Sequence, residues 1–380
     1  MILHDLHVAG SEGLKHIHLY DGKIKAIEEC GDALKEIPGE QHLSFTDAIV
    51  FPGLINSHDH LDFNLFPQLG NRIYSNYTEW GKDIHKVNKD VIKQVLKIPE
   101  TLRVHWGIFK NLVNGFTTVI NHGKKLEIRD APITVIQDHH ILHSPSFEKN
   151  WKWKLNAPFK SKKPFVIHIG EGTDQATNKE IDKVIRWNLF KRKIVGVHGV
   201  AMNEEQAEHF AGLVWCPVSN FFLLGKTAAI DRLKQKTKVV FGSDSTLTSS
   251  PFMWEHLRQA KNTGMMNDEE LFEALTKTPA GLWGLDDKGA IEVNKDADIV
   301  IAKKKNNFFQ LNKEDILLII HDGKIRLLDE SIAPQLNEMI KKDLKKSDFF
   351  ADGTYMQGDF VEKTRQLALH ASRIFGEKLK

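Results

Sequence analysis

Two imidazoles set two residues apart, His58 and His60, are the most chemically pointed feature of this sequence, and they follow directly on the apolar run Ile49-Val50-Phe51-Pro52-Gly53-Leu54-Ile55. In an extended segment residues i and i+2 share a face, so both rings converge on one point while Asp59 faces elsewhere. At the carboxyl end of a strand such a pair makes half a metal site. Alone it reads as readily as a polar loop with incidental histidines. It is not alone: His168 closes the apolar run Phe165-Val166-Ile167 with Glu171 three residues on, His198 closes Ile194-Val195-Gly196-Val197, and Asp244 follows Val239-Val240-Phe241-Gly242-Ser243. Any one of these is equally a satisfied buried polar group. Together they favour a shared site. Cys30 and Cys216 are far apart and form no Cys-x-x-Cys pair, so a metal here must use histidine and carboxylate.

Strands must position these side chains. Residues 50–285 alternate short apolar runs with helical patterns, as parallel βα units do. Strands are predicted at Ala48–Leu54, Thr117–Ile120, Ile133–Ile136, Phe165–Ile169, Ile194–Val197, Leu213–Cys216 and Val239–Gly242. In a parallel barrel the strand ends gather at one mouth, where residues a hundred positions apart meet. The expected fold is therefore α/β, a TIM-like (β/α)8 barrel over residues 51–285. Seven strands are found where eight are needed, and the stretch His139–Pro145 is the place left for the missing one. The 28 residues between the third strand and the next are tight for a strand and a helix, so the barrel is expected to be distorted near strands 3–4.

Strand patterns also flank the barrel. Ile17–Tyr20 and Lys23–Ile27 are separated by Asp21-Gly22, a hairpin dipeptide. Gly289–Val293 and Ile299–Ala302 match them late in the chain. Residues 1–50 and 286–330 are each too short to bury a face, so one composite β-sandwich is expected from both. Beyond it, Leu336, Ile340 and Leu344, then Leu367, Ala371, Ile374 and Phe375, recur at helical spacing, making 331–380 a helical extension. Trp151-Lys152-Trp153-Lys154 reads as a surface loop with partly packed indoles.

A balance of 52 basic against 50 acidic residues excludes a strongly electrostatic partner, so neither nucleic acid nor an anionic membrane is expected. No stretch approaches the roughly 18 apolar residues of a membrane span, and the first residues lack the basic-then-apolar order of a signal peptide. The reading is a cytoplasmic protein with a small-molecule substrate, a homo-oligomer remaining open.

Pro52-Gly53-Leu54-Ile55-Asn56-Ser57-His58-Asp59-His60 resembles the first-strand signature of the metal-dependent amidohydrolase superfamily. Gly115–Val119, His168-Ile169-Gly170-Glu171, Val197-His198-Gly199, Cys216-Pro217-Val218-Ser219-Asn220 and Gly242-Ser243-Asp244-Ser245 are similar, in order, to its second, fifth, sixth, seventh and eighth strands. The likeness covers about residues 1–305 and is nearest the cytosine deaminase and chlorohydrolase-like branch. It implies one divalent metal per chain, held by His58, His60, His168 and Asp244. Three imidazoles and a carboxylate suit zinc first and iron second, not magnesium or calcium. No lysine lies in Ile133–His143 to bridge a second ion.

That resemblance implies hydrolysis of a C–N bond by a metal-activated water, foremost the deamination of a small heterocyclic or amidine-like substrate. Asp244 takes the water's proton, Glu171 shuttles a proton to the leaving nitrogen, and His198 stabilises developing charge or binds metal itself. The alternatives are a cyclic-amide or other amide hydrolase, and a barrel that has lost catalysis and serves as a scaffold. Asp62, Asn64, Gln68, Arg72 and Trp80, on the long connection after the first strand, are candidates to touch substrate. His122, His139, His140 and His143 form a second histidine group that lines the pocket, offers a second metal position or faces solvent.

Overall fold

A computed structural model describes residues 1–31, 39–157, 161–347 and 353–375. The chain opens with β1 (Ile2–Val8), β2 (Leu14–Tyr20), β3 (Lys23–Glu29) and β4 (His42–Pro52). Asp21 and Gly22, between β2 and β3, both take positive φ (50° and 70°), the paired left-handed state of a tight hairpin turn.

Eight parallel strands follow, in two sheets. The first holds β5 (Leu54–Asp59), β6 (Phe116–Asn121) and β7 (Thr134–Ile136). The second holds β8 (His140–Leu142), β9 (Phe165–Ile169), β10 (Ile194–His198), β11 (Gly212–Trp215) and β12 (Val239–Phe241), in that order. Every residue of β5, β6, β9 and β10 is buried, as expected for parallel strands covered on both faces. Among the described residues the ladder does not close into one ring. Only Gln137, Asp138 and His139 separate β7 from β8, and no helix crosses between them. At the other seam, the backbone N–H groups of Ser243 and Asp244 each donate to the His58 carbonyl at 3.1 Å, tying the end of β12 to β5.

The strand missing from the sequence reading, β8, is the fourth of these and falls in the His139–Pro145 stretch. The first parallel strand differs from expectation. Ala48–Pro52 belongs to β4 in the other sheet, and the parallel sheet starts at Leu54. A continuous apolar run carries no mark of a change of sheet except Gly53, which packs so closely on Thr117 that an added Cβ would lie 2.0 Å from its hydroxyl.

The chain ends with β13 (Ile299–Lys303), β14 (Ile316–His321), β15 (Lys324–Asp329), β16 (Leu344–Lys346) and β17 (Thr354–Gln357). They join the first four strands in one nine-stranded mixed sheet, ordered β16-β17-β15-β14-β13-β4-β1-β2-β3. Its own apolar cluster, including Leu3, Ile17, Leu43, Ile299, Leu318 and Leu328, draws on both ends of the chain. Gly289–Val293 forms no strand; Val293 is half exposed and Asn294 turns the chain with φ 72°. Residues 331–380 are not wholly helical, since β16 and β17 extend the sheet. The final helix, Gly358–Phe375, packs on helix Glu100–Val113, where His105 Nε2 lies 2.8 Å from the Thr364 hydroxyl. Trp151–Asn156 is a short helix rather than a loop, burying Trp151 and exposing Trp153. No helix among the described residues is long and apolar enough to cross a membrane.

Candidate metal centre and active site

The backbone aims the first histidines. In β5, His58 and Asp59 turn to opposite faces, and the irregular register between Asn56 and Asp59 lets Asn56 join Asp59. Asp59 accepts hydrogen bonds from the amides of Asn64 (2.7 Å) and Asn111 (2.8 Å), and Lys110 Nζ lies 3.0 Å from its Oδ2. Asn56 in turn donates to Asn111 and to the Ser243 hydroxyl, each at 2.8 Å. This buried network fixes β5 against helix Glu100–Val113 and the end of β12, directly behind His58. Gly242 completes the fit: a Cβ there would lie 2.9 Å from that of His58.

On the other side of the strand the ring nitrogens converge. His168 Nε2 lies 3.2 Å from His58 Nε2 and 3.3 Å from His60 Nε2. Asp244 Oδ1 lies 3.9 Å and 3.8 Å from those two Nε2 atoms. His168 Nδ1 sits 3.0 Å from the His143 carbonyl, which can only accept, so Nε2 keeps its lone pair for the centre. Asp244 is held equally firmly: Oδ2 accepts from Ser219 and Thr248, and Oδ1 from the Ser245 N–H, all at 2.8 Å.

Burial, followed by the neighbouring imidazoles, keeps His58 and His168 well below the ordinary histidine pKa, so both are neutral. Burial would raise Asp244, but the facing His60 and His198 and the bonds from Ser219 and Ser245 hold it below the usual carboxylate value. Lone pairs and one carboxylate facing a single point suit a cation. A tetrahedral ion with bonds of about 2.0–2.1 Å sets its ligand atoms roughly 3.3 Å apart, close to the spacing among the three histidines. The donor set therefore fits a zinc-class ion.

Beside this cage, His198 Nε2 lies 3.6 Å from Glu171 Oε1. His198 Nδ1 meets the Asn220 side-chain Oδ1 at 2.9 Å, and the Asn220 side-chain amide donates to the Thr227 hydroxyl, which fixes the orientation of both. Burial raises the Glu171 carboxyl to about 7, with Asp244 acting the same way and His198 opposing. His198 and Asp244 share a rare feature: both take positive φ (74° and 57°), a strained state for residues with a Cβ that concentrates at functional sites.

The structure sorts the remaining candidates. His122 packs its ring 4.4 Å from that of His168 and 5.0 Å from that of His58, and neither of its buried nitrogens has a partner. His143 lies 5.1 Å from His168, ring to ring, and burial brings it to about 4. His139 lies beside Trp283, and His140 stacks on Phe165 and faces Ser161. Of the loop residues, Asn64 supports Asp59 from behind, Arg72 pairs with Glu79, Trp80 donates to the Leu69 carbonyl, and Gln68 reaches the Thr248 carbonyl at 3.5 Å. Phe63 stacks on His60. The sequence reading missed Lys110 and Asn111. Their signal was a lysine set among Ile108, Phe109, Leu112 and Val113, on a helix face that is buried.

A model of the amidohydrolase family matches residues 144–326, a span that contains His168, Glu171, His198 and Asp244. Over that span, just under half of the chain, the sequence is similar to the amidohydrolase family. It is 22% identical to the 5-methylthioadenosine/S-adenosylhomocysteine deaminase of Pyrococcus furiosus, over 79% of this chain and 84% of that one. Among solved structures it is similar to a zinc-bound adenosine deaminase from Xanthomonas campestris, with a TM-score of 0.72 at 16% identity, covering 99% of this chain and 98% of the other. The guanine deaminase of C. acetobutylicum, solved with guanine in its active site, gives 0.63 at 15% identity, covering 85% and 99%. At these identities the structural likeness speaks for the shared fold.

Proposed function

We propose that this protein is a metal-dependent hydrolase that deaminates a small amino-substituted heterocycle. The observation that carries this reading is the convergence of three buried Nε2 atoms and Asp244 Oδ1 on one point, with the Glu171–His198 pair alongside. The deaminase names of the three relatives support the choice of reaction.

His58, His60, His168 and Asp244 would hold one divalent ion, zinc in preference to iron. When bound, such an ion lowers the pKa of water enough to supply a nucleophile near neutral pH. The carboxylate of Asp244, ionised and anchored by two hydroxyls, accepts the proton that water gives up. Glu171, poised near 7, carries a proton to a ring nitrogen and then to the departing amino group. His198 spends its Nδ1–H on the Asn220 side-chain oxygen, so it would donate from Nε2 toward charge that develops at the attacked carbon as the imidazolium, beside the Glu171 carboxyl. We read the two parallel sheets as one barrel of eight strands opened at its seams, spanning residues 51–285. Residues 1–50 and 286–330 would form a composite β module, with 331–380 as an extension.

An ammonia-release screen over heterocyclic amines, run beside elemental analysis, tests the reading. Ammonia production that is lost on chelation and restored by zinc is expected. Hydrolysis of cyclic amides without ammonia, or a protein that binds no metal, would overturn it.

A further inference from the structure

Three ligand-type side chains outside the candidate active site meet near the β3 end of the nine-stranded sheet. Asp5 lies in β1, His16 in β2, and Cys30 directly follows β3, so they come from three adjacent strands. Cys30 Sγ lies 3.4 Å from Asp5 Oδ1 and 3.9 Å from His16 Nδ1, and the three donor atoms all lie within 4.8 Å of one another. His4 borders the group, its ring 5.0 Å from that of His16.

The backbone deforms where this cluster is made. The register of β1 shifts between Leu3 and Leu6 against β2, and between His4 and Leu6 against β4. Asp5, inside the shift, takes φ 60°, a left-handed state that costs a residue with a Cβ about 1–2 kcal/mol. An irregularity of this kind re-aims the side chain it carries. Here it brings the Asp5 carboxylate beside a thiol and an imidazole.

We propose that Asp5, His16 and Cys30 form a second binding site, for a zinc-class divalent ion, with a fourth position left to water. Zinc bonds of about 2.3 Å to sulfur and about 2.0–2.2 Å to nitrogen and oxygen set ligand atoms roughly 3.3–3.6 Å apart. The two sulfur separations sit close to that range. A thiolate, an imidazole and a carboxylate select zinc and its first-row neighbours over magnesium and calcium. On binding, the Cys30 S–H gives its proton to solvent as the sulfur–metal bond forms, so affinity rises with pH. The ion would tie β1, β2 and β3 together, since among the described residues β3 has β2 as its single ladder neighbour. The sequence hides the site because its ligands lie on different strands with no motif spacing.

Equilibrium dialysis of the holoenzyme against zinc, beside Cys30→Ser, tests the assignment. The variant should hold one ion fewer per chain at unchanged turnover, and cobalt should give a thiolate charge-transfer band with the wild type alone. Equal metal content in the two proteins would overturn the proposal. A second measurement needs no variant. Cys216 is buried and Cys30 exposed, so Cys30 is the thiol that reacts quickly with a disulfide reagent in the native protein. Saturating zinc should slow that reaction by about tenfold or more, because a coordinated thiolate is withdrawn from attack. An unchanged rate would equally sink the proposal.

Discussion

Lys110 Nζ stands 3.0 Å from Asp59 Oδ2, in a pair whose side chains are 1% and 0% exposed. The same ammonium reaches the Asp244 backbone carbonyl at 3.1 Å, so one cation braces the residue between the paired histidines and the backbone of a fourth candidate ligand. Removing it leaves a buried carboxylate without its counter-charge, at a cost of about 3–5 kcal/mol. Lys110→Met should therefore lower unfolding stability by that amount and reduce metal content, although Lys110 is not a candidate ligand. Denaturant melts with metal analysis check this. A variant with wild-type stability and full metal would show the pair to be dispensable.

Glu171→Gln should keep the metal and lose turnover by about 10²–10⁴, because the amide preserves shape but delivers no proton. His58→Ala should lose both, since it removes a proposed ligand. The pH profile adds a further test. With its carboxyl raised to about 7 by burial, Glu171 loses its proton above neutrality, so kcat/KM should fall as pH rises through about 7. A glutamine variant that turns over at the wild-type rate would remove Glu171 from proton transfer.

Asp298 gives a stability prediction away from the metal. Burial would raise its carboxyl, but His321 Nδ1 at 2.8 Å and Lys288 Nζ at 2.6 Å bring it to about 2, against 3.8 unperturbed. A depressed carboxyl contributes stability that is present above the unfolded value and lost as pH falls through the folded one. The contribution is about 2 kcal/mol, lost between roughly pH 4 and pH 2. Asp298→Asn should be less stable than wild type at pH 5, and the gap should narrow by that amount at pH 2. A gap that stays constant across this window would show that the charge contributes nothing.

His122 should separate stability from function. Neither ring nitrogen has a protein partner, so His122→Leu removes no hydrogen bond and relieves a desolvated polar group worth about 1–3 kcal/mol. The metal-free variant should be at least as stable as wild type, while turnover of the loaded enzyme falls. A loss of several kcal/mol with intact turnover would make His122 a packing residue instead.

The convergence at the centre is legible in the sequence because His58, His168, His198 and Asp244 each close an apolar run, and parallel strands bring such ends together. The supports behind them are not. Asp59 meets Lys110 and Asn111 only because a helix packs against β5, and no local pattern reports that contact. The break between β4 and β5 hides inside one apolar run. β8 is three residues long and half-buried, and β16, Leu-Lys-Lys, is too short and polar to announce a strand. Alternation and end-of-run chemistry can be read from local sequence, whereas the identity of a strand's neighbour is set by tertiary packing.

The nine-stranded sheet also dictates an order of events on the ribosome. Pro52 of β4 pairs with Ile299 of β13, so the first four strands emerge long before the partner that covers their inner edge. Until then β4 presents a row of unpaired N–H and C=O groups, an edge open to pairing with another chain. Non-local pairing of this kind is slow, because loop closure precedes the contacts that compensate for it. The parallel strands between them are synthesised and can pair while that edge waits. Joining the two ends of the chain is thus a late step, and aggregation during synthesis should begin at β4.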